Sequence, residues 1–204
     1  GNGIYQADVK PGDVKYVDVN HDGVINASDK VDLGNGLPKY TFGFNVNLAW
    51  KGFDLSANFT GAAGFQIAQS YRDPSSSQAN YSRRILKRWT GEGTSNEIPR
   101  VTYGDVGNWL FSDLYLQDGD YIRLQNLTMG YDFKKLISWK GLSKMRLYFQ
   151  VQNLFTLTKY DGMDPEIGSF NGTNGNSSDS WVSGVDMGYY PHPRTFIVGL
   201  NLAF

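Results

Sequence analysis

The sequence predicts an all-β fold, specifically a transmembrane antiparallel β-barrel, and three observations support that prediction. Glycine is abundant at 24 residues, aromatic residues make up 15% and charged residues only 19%, a composition typical of β-rich chains. Five stretches alternate apolar and polar side chains, and each is longer than the ~5–6 residues of an ordinary strand. Their connections alternate between short and long, as in a barrel with short turns on one rim and long loops on the other.

The rest of the composition narrows the class of protein. A net charge of −1 gives no indication of nucleic acid as a partner, and the absence of cysteine excludes disulfides and thiolate sites. No run of ~18 apolar residues predicts a transmembrane helix, whereas a mean hydropathy of −0.41 is compatible with barrel strands. The chain opens on loop-like sequence without a signal peptide, so we expect either a cytoplasmic protein or the later part of a longer chain.

The first elements follow from the positions of the turn-forming residues and of the alternating segments. Residues 1–38 are rich in Gly, Pro, Asp and Asn and are predicted to be loop. The first strand is predicted at 39–50 and the second at 53–66, with a two-residue turn between them. In both strands the aromatic and aliphatic residues occupy every second position, which gives each strand one apolar face.

The later elements repeat this arrangement. A long irregular stretch over 67–119 contains one helical pattern at 77–90. Strands three, four and five are predicted at 120–133, 143–157 and 194–204. Within strand three the apolar positions change parity, which predicts a β-bulge.

The barrel hypothesis also predicts an orientation. Five strands are too few to close a membrane barrel, whose known range begins at ~8, so the chain should be part of a larger one. Strand five runs from a long loop to the end of the chain, which we expect on the short-turn, periplasmic side. Counting back, strand one begins outside the cell, and the segment 18–29 is extracellular. The side chains expected to face lipid are Phe42, Phe44, Val46, Phe59, Leu147, Phe149, Val198 and Leu200.

The segment DVNHDGVINASD at 18–29 has the spacing of a twelve-residue calcium loop. Oxygen donors occupy loop positions 1, 3, 5, 7, 9 and 12, the seventh through its backbone carbonyl; these residues are Asp18, Asn20, Asp22, Val24, Asn26 and Asp29. Gly23 lies at the sharp bend, and Ile25 provides an apolar contact. Position 12 is Asp rather than Glu, and no helix pattern flanks the loop. An Asx-rich turn without an ion is therefore the alternative.

Five ordered blocks carry a resemblance to a known family: KPGDVKYVDVNHDGVINASDK, LPKYTFGFN, LYLQDGDYIRLQNLTMGYDF, RLYFQVQNLFTLTKYDGMDPE and PRTFIVGLNLAF. Together they resemble the C-terminal portion of SusC/RagA-family TonB-dependent outer-membrane transporters of Bacteroidetes. The resemblance implies the last five strands of a 22-stranded barrel. It also implies an importer of glycans or peptides that works with a SusD-like surface lipoprotein, and with TonB through a part of the protein outside this chain. The remaining barrel, the plug and outer-membrane lipids are the other implied partners.

Two further sets of residues are candidates for function. The terminal strand resembles the signal by which barrel proteins reach the outer-membrane assembly machinery, or it is simply a last amphipathic strand; its residues are Phe196, Val198, Leu200, Leu202 and Phe204. Aromatic residues of the long loops could stack on sugars or contact a lid protein, or instead form an aromatic girdle or pack the loops; they are Trp109, Trp181, Tyr189 and Tyr190.

The alternative to a transporter is a soluble surface adhesin or glycan-binding β-domain with a calcium loop. A soluble antiparallel sandwich also alternates its faces, so the strands alone leave it open. An enzyme has little support, because no nucleophile elbow, phosphate loop or zinc motif is present. The carboxylate pair Asp161 and Asp164 is predicted to mark a turn.

Overall fold

A computed structural model of the chain describes residue 6 and residues 9–70, 83–102, 107–137, 139–167 and 184–204. The chain divides into two compact units, Gly1–Gly34 with Ser70–Leu116 and Asn35–Gln69 with Gln117–Phe204. The sequence predicts an extracellular loop over 1–38 and a barrel segment over 39–204, and this division stays a prediction. None of the helices in the described ranges is long and apolar enough to cross a membrane.

The described residues form eight strands in two sheets. The strands are β1 (Tyr40–Trp50), β2 (Phe53–Ala63), β3 (Gln66–Gln69), β4 (Leu116–Asp118), β5 (Tyr121–Asp132), β6 (Lys144–Thr158), β7 (Val185–Asp186) and β8 (Thr195–Ala203). The large sheet has the order β1-β2-β5-β6-β8, and every neighbouring pair in it is antiparallel. The small sheet has the order β4-β3-β7, with β3 and β7 parallel.

The large sheet has one apolar and one polar face. Rows of paired residues cross all five strands, and one such row is Trp50, Phe53, Tyr131, Leu147 and Leu200. The residues expected to face lipid share this apolar face, where most are exposed, for example Val198 at 71%. They do not lie in a core between two sheets. This arrangement is the one that a barrel requires of its outer wall.

The parity change in strand three is a β-bulge, as the alternation predicted. The pairing of β5 with β6 shifts register between Leu124 and Asn126, and its pairing with β2 shifts opposite Asn58 and Phe59. The extra residue returns Leu124 to the apolar face, opposite Phe59.

The second predicted strand ends earlier than its alternation suggested. β2 stops at Ala63, and Gly64 adopts a φ of +79°, a left-handed conformation that breaks the strand. The Gly64 N–H donates to the Asp120 carboxylate at 2.6 Å. Phe65, which the alternation placed on the outer face, is instead buried in a small core with Ala62, Ile67 and Tyr160.

The helical pattern at 77–90 gives only a short 3-10 helix in the part that the structure describes. Residues 77–82 lie outside the described residues, and Arg83–Lys87 forms a short 3-10 helix rather than an α-helix. Its end is tight, because the Arg88 N–H and guanidinium both donate to the Ile85 carbonyl, at 3.1 and 3.2 Å.

Candidate functional site: the polar sheet face and the loops

The polar face of the large sheet carries hydrogen bonds between neighbouring strands. The Asn58 amide donates to Asn45 at 2.6 Å, and the Ser56 hydroxyl donates to Asn47 at 2.7 Å. These pairs lie directly opposite each other on β1 and β2. The face therefore offers amide and hydroxyl groups, the chemistry expected of a barrel lumen.

An ion pair on the same face spans three strands. The Arg146 guanidinium on β6 donates to the Asp54 carboxylate on β2, with its Nε at 2.8 Å from Oδ1. To reach Asp54 it passes over Gly130 of β5, where an added Cβ would lie 2.6 Å from the guanidinium. Glycine at this position is what allows the side chain to cross the intervening strand.

A buried charged cluster lies at the loop end of this face. Arg123 is only 3% exposed, and its guanidinium binds the Asp164 carboxylate, Glu166 at 2.8 Å and the Thr156 hydroxyl at 2.9 Å. The Glu166 N–H donates back to Asp164 at 2.9 Å, and the His192 N–H donates to its other oxygen at 3.3 Å. Arg123 thus holds the segment around Asp164 directly, and Asp164 in turn holds the segment at His192, both in the long connection between β6 and β8.

A second buried carboxylate orders the other end of that connection. Asp186 is 1% exposed and accepts hydrogen bonds from the Tyr160 hydroxyl and from the N–H groups of Gly188 and Tyr189, the latter two at 2.8 and 3.0 Å. Because Tyr160 belongs to the small core, this contact ties the segment around Asp186 to the end of the sheet. Buried carboxylates with this many donors fix a loop without apolar surface.

Sequence reasoning missed this network. Asp164 was predicted to mark a turn, and it does accept a local backbone N–H, but its main partner is Arg123, 41 residues away. Asp186 was not identified, and neither was Asp54. The available signal was the position of Arg123 on the polar side of a strand, where a buried arginine needs a carboxylate.

The segment 18–29 folds as a closed ring of carboxylate-to-backbone hydrogen bonds. The Gly23 N–H donates to Asp18 at 2.8 Å, and the Val19 N–H donates to Asp29 at 2.9 Å, which joins the two ends of the loop. Gly23 has a φ of +82°, as the bend requires. Asn26 and Asp29 form a reciprocal cap on the 3-10 turn Ala27–Asp29.

The hydrogen bonds of the ring favour the ionised form of Asp29. The Asn26 N–H hydrogen bond is the main cause that lowers the pKa of Asp29 below its ordinary value, with a further contribution from the Val19 N–H. The donor set of carboxylate, amide and carbonyl oxygens suits calcium. However, the described residues contain no group of three or more Asp, Glu or His side chains placed to hold a metal ion. The oxygens instead face backbone N–H groups, so calcium stays a prediction.

The remaining predicted site residues lie in the terminal strand and in the long connections. The five terminal-strand residues are exposed on the apolar face or at the end of β8, with Phe204 at 81%. Tyr189 and Tyr190 are exposed at 41% and 83%. Trp109 ends a 3-10 turn, Gly107–Trp109, and Trp181 lies outside the described residues.

The loop unit has its own buried carboxylate. Asp13 has a side chain only 4% exposed and accepts from the Arg100 guanidinium at 2.6 and 2.9 Å and from the Asn108 amide at 2.8 Å. Burial acts to raise the pKa of Asp13, but these hydrogen bonds and the one from the Lys10 N–H together lower the pKa below its ordinary value. Asp13 therefore joins three segments of this unit.

Known proteins similar to the chain are TonB-dependent receptors. TonB-dependent receptor P3 of Formosa agariphila is 34% identical over all of the chain, and TonB-dependent receptor SusC of Bacteroides thetaiotaomicron is 29% identical over 98% of it. The chain spans only about one fifth of the length of these relatives. No family model matches the chain.

Solved structures share its fold. The RagAB peptide importer in the closed-closed state matches 95% of this chain with a TM-score of 0.65 at 23% identity, and the match covers 20% of that protein. The RagAB peptide transporter matches 84% with a TM-score of 0.63 at 24% identity.

The chain thus has the all-β fold of part of a TonB-dependent receptor barrel. Within that class it fits a fragment of a SusC/RagA-family receptor, and the resemblance found in the five sequence blocks is confirmed over the whole chain.

Proposed function

We propose that this chain is part of an outer-membrane, TonB-dependent active importer of glycans or peptides that works with a SusD-like surface lipoprotein. The observation that carries the proposal is the two-faced sheet, whose long antiparallel strands have an exposed apolar face and a hydrogen-bonded polar face. Transport rather than catalysis suits these features, since the polar face presents amides and paired ions rather than a nucleophile beside a base.

The proposed placement follows from the lengths of the connections. The short turns and the end of the chain face the periplasm, and the long connections, with segment 18–29, face outward. TonB would act through parts of the protein that lie outside this chain. Tyr189 and Tyr190, held beside the buried Asp186, are the proposed contacts with substrate or with the lipoprotein lid, because they are exposed on an ordered segment.

The test is uptake by cells that carry the complete gene, its deletion, or the deletion with the gene restored. We expect the deletion to abolish depletion of at least one member of an oligosaccharide panel or a peptide panel from the medium, and restoration to recover it. The complete protein should fractionate with the outer membrane and require detergent for extraction. Recovery without detergent, together with unchanged uptake, would favour the soluble adhesin instead.

We also propose that segment 18–29 binds a structural calcium ion through the oxygens of Asp18, Asn20, Asp22, Val24 and Asp29, with Asn26 at the ninth position. The closed ring and the left-handed Gly23 support it, since they already place both ends of the loop near one another. A polar, glycine-rich loop has little apolar surface to fix its shape, and a cation would supply that order. Weak binding, with a dissociation constant of ~0.1–1 mM, would be sufficient outside the cell.

Limited proteolysis of the complete protein tests the calcium site. We expect calcium to slow cleavage within 18–29, and Asp18→Ala with Asp22→Ala to make cleavage rapid and independent of calcium. The matched control is Asp32→Ala with Glu97→Ala, which removes the same charge from exposed positions. Equal cleavage of the unaltered protein in calcium and in chelator would mean that the loop is only a turn.

A third proposal concerns assembly. The alternating apolar residues of β8 and the final Phe204 would serve as the signal for insertion into the outer membrane. Deleting Phe204 should sharply lower the amount of inserted protein, while the unfolding free energy of the inserted fraction changes little, since one exposed terminal side chain buries limited area. Quantifying the heat-modifiable band in outer-membrane fractions measures this, and normal insertion of the deletion variant would contradict it.

A further inference from the structure

We propose that the short-turn end of the large sheet binds the headgroups of anionic glycerophospholipids. This end comprises the β1–β2 turn at Lys51 and Gly52 and the β5–β6 connection 133–143. The inference rests on the proposed membrane placement and adds a lipid preference to it. It is argued from the charges, the aromatic residues and the contacts of these two connections.

The charged side chains within these two connections have one sign. In residues 50–53 and 133–143 every charged residue is a lysine: Lys51, Lys134, Lys135 and Lys140. The carboxylates that flank these connections in sequence, Asp54 and Asp132, lie on the polar face; Asp54 is paired with Arg146, and Asp132 accepts from the Lys134 N–H. At the opposite end of the sheet the connections carry both signs, for example Asp118, Asp120 and Asp161 together with Lys159 and Arg194. The short-turn end is therefore a basic surface on a chain of net charge −1.

Aromatic side chains border the same surface on the apolar face. Trp50, Phe53 and Trp139 are exposed at 68%, 57% and 60%. Phe53 packs on Tyr131 with ring centroids 4.4 Å apart, and Tyr131 packs on Phe133 at 4.9 Å. Exposed aromatic rings at the ends of an apolar face are typical of the level at which lipid headgroups lie.

One lysine contacts an aromatic ring, and another is held by the backbone of an aromatic residue. The Lys51 ammonium lies 4.9 Å from the centroid of the Trp50 ring, and the Lys134 ammonium donates to the Trp139 carbonyl at 2.8 Å. Each contact places a positive charge at the border between the apolar face and the turns. Lys140 is exposed directly after Trp139. Amines beside an aromatic belt can reach a lipid phosphate while their methylene chains remain on apolar surface.

Charge complementarity selects the ligand. A zwitterionic headgroup brings its own amine to these lysines, whereas a phosphatidylglycerol phosphate brings an uncompensated negative charge. Each lysine near an anionic lipid surface contributes about a fivefold change in affinity at physiological ionic strength. Three together would give a preference on the order of 100-fold over a zwitterionic lipid of equal chain length.

The test is native mass spectrometry of the complete receptor, extracted in mild detergent and supplied with equal amounts of phosphatidylglycerol and phosphatidylethanolamine. We expect the unaltered protein to retain phosphatidylglycerol preferentially. Lys51→Gln, Lys134→Gln and Lys140→Gln together should lower that preference at least about tenfold, and Lys→Arg at the same positions should retain it. The control changes the exposed loop lysines Lys15, Lys30 and Lys87 to Gln and should leave the preference unaltered.

Three outcomes would overturn the proposal. They are an unchanged preference in the triple Gln variant, an equal loss in the loop control, and stronger retention of lipid A than of phosphatidylglycerol in a parallel sample. Heat-modifiable mobility shows whether the Gln variant is folded, and the Arg variant provides a folded comparison. A receptor that inserts into vesicles without this preference contradicts the lipid site alone. One that is extracted without detergent and retains neither lipid contradicts the membrane placement as well.

Discussion

Within the unit Asn35–Gln69 and Gln117–Phe204, the large sheet and the connection after β6 are ordered by different interactions. Along the sheet, each strand pairs with its neighbour over most of its length, so order comes from repeated backbone hydrogen bonds. Along residues 160–192 the described segments depend on two carboxylates, Asp164 and Asp186. A sheet of this kind should tolerate the loss of single side chains, provided that each face keeps its polarity. The connection after β6 should not tolerate the loss of either carboxylate.

The largest loss of stability should follow from replacing Arg123, the partner of Asp164. Arg123→Gln leaves a carboxylate with a side chain 5% exposed without its guanidinium, and breaking a buried pair in this way costs about 3–5 kcal/mol. We expect hydrogen exchange of residues 159–167 to accelerate strongly in the complete receptor, while exchange in β1 and β2 is unchanged.

Two controls make the Arg123 result specific. Lys159→Gln removes a positive charge whose side chain is 86% exposed, and it should have little effect. Combining Arg123→Gln with Asp164→Asn should cost less than the sum of the single changes, because the two residues act as a pair. Unchanged exchange in Arg123→Gln would show that backbone contacts alone order the connection, and the contrast with the sheet would be lost.

The second prediction tests the polarity of the two sheet faces. Val198 is 71% exposed on the apolar face and pairs with Phe149. Val198→Arg should cost about 2–4 kcal/mol of unfolding free energy near the bilayer midplane, because the guanidinium would enter hydrocarbon. Urea unfolding of the complete receptor in vesicles measures this.

A neighbouring position provides the matched control for Val198. Ile197 lies at the same height but on the polar face, opposite Gln150. Ile197→Arg should therefore cost less than Val198→Arg. If both substitutions had the same cost, the two faces would not differ in their surroundings, and the lipid-facing assignment would fail.

The sheet was predictable from sequence because the pattern that specifies it lies in residues that are close together in the chain. A period of two specifies which residues share a face, and the parity change between Leu124 and Leu127 is enough to predict the bulge. The end of β2 was missed because the alternation continues through Phe65. A single left-handed glycine, Gly64, breaks the strand there, and glycine within strands does not always do so.

The loop network was not predictable because its hydrogen-bond partners are far apart in the chain. Asp164 lies in a segment rich in Gly, Asp and Pro, where a carboxylate ordinarily marks a turn. Nothing near it in the sequence indicates an arginine 41 residues earlier. The ring at 18–29 is an intermediate case. Its spacing is local and predicted a calcium loop or an Asx-rich turn, whereas binding of an ion depends on how the side-chain oxygens converge.

The smallest predicted effect concerns pH and extends the comparison to the loop unit, where Asp13 has the same kind of role as Asp164. A carboxylate whose pKa is lowered by folding adds stability above its unfolded pKa of ~3.9, and that stability is lost as the pH falls through the lower folded value. Hydrogen exchange of residues 9–16 and 96–102 should therefore accelerate as the pH is lowered from about 5 to below about 3, after correction for intrinsic exchange. Asp13→Asn should lower the free energy of local opening by about 1–3 kcal/mol and so accelerate exchange already at neutral pH. It should also remove the acid dependence. Glu92→Gln, an exposed position in the same unit, is the control and should leave the profile unchanged. If Asp13→Asn retained the acid dependence of the unaltered protein, another carboxylate would control these segments, and Asp13 would not be the counterpart of Asp164.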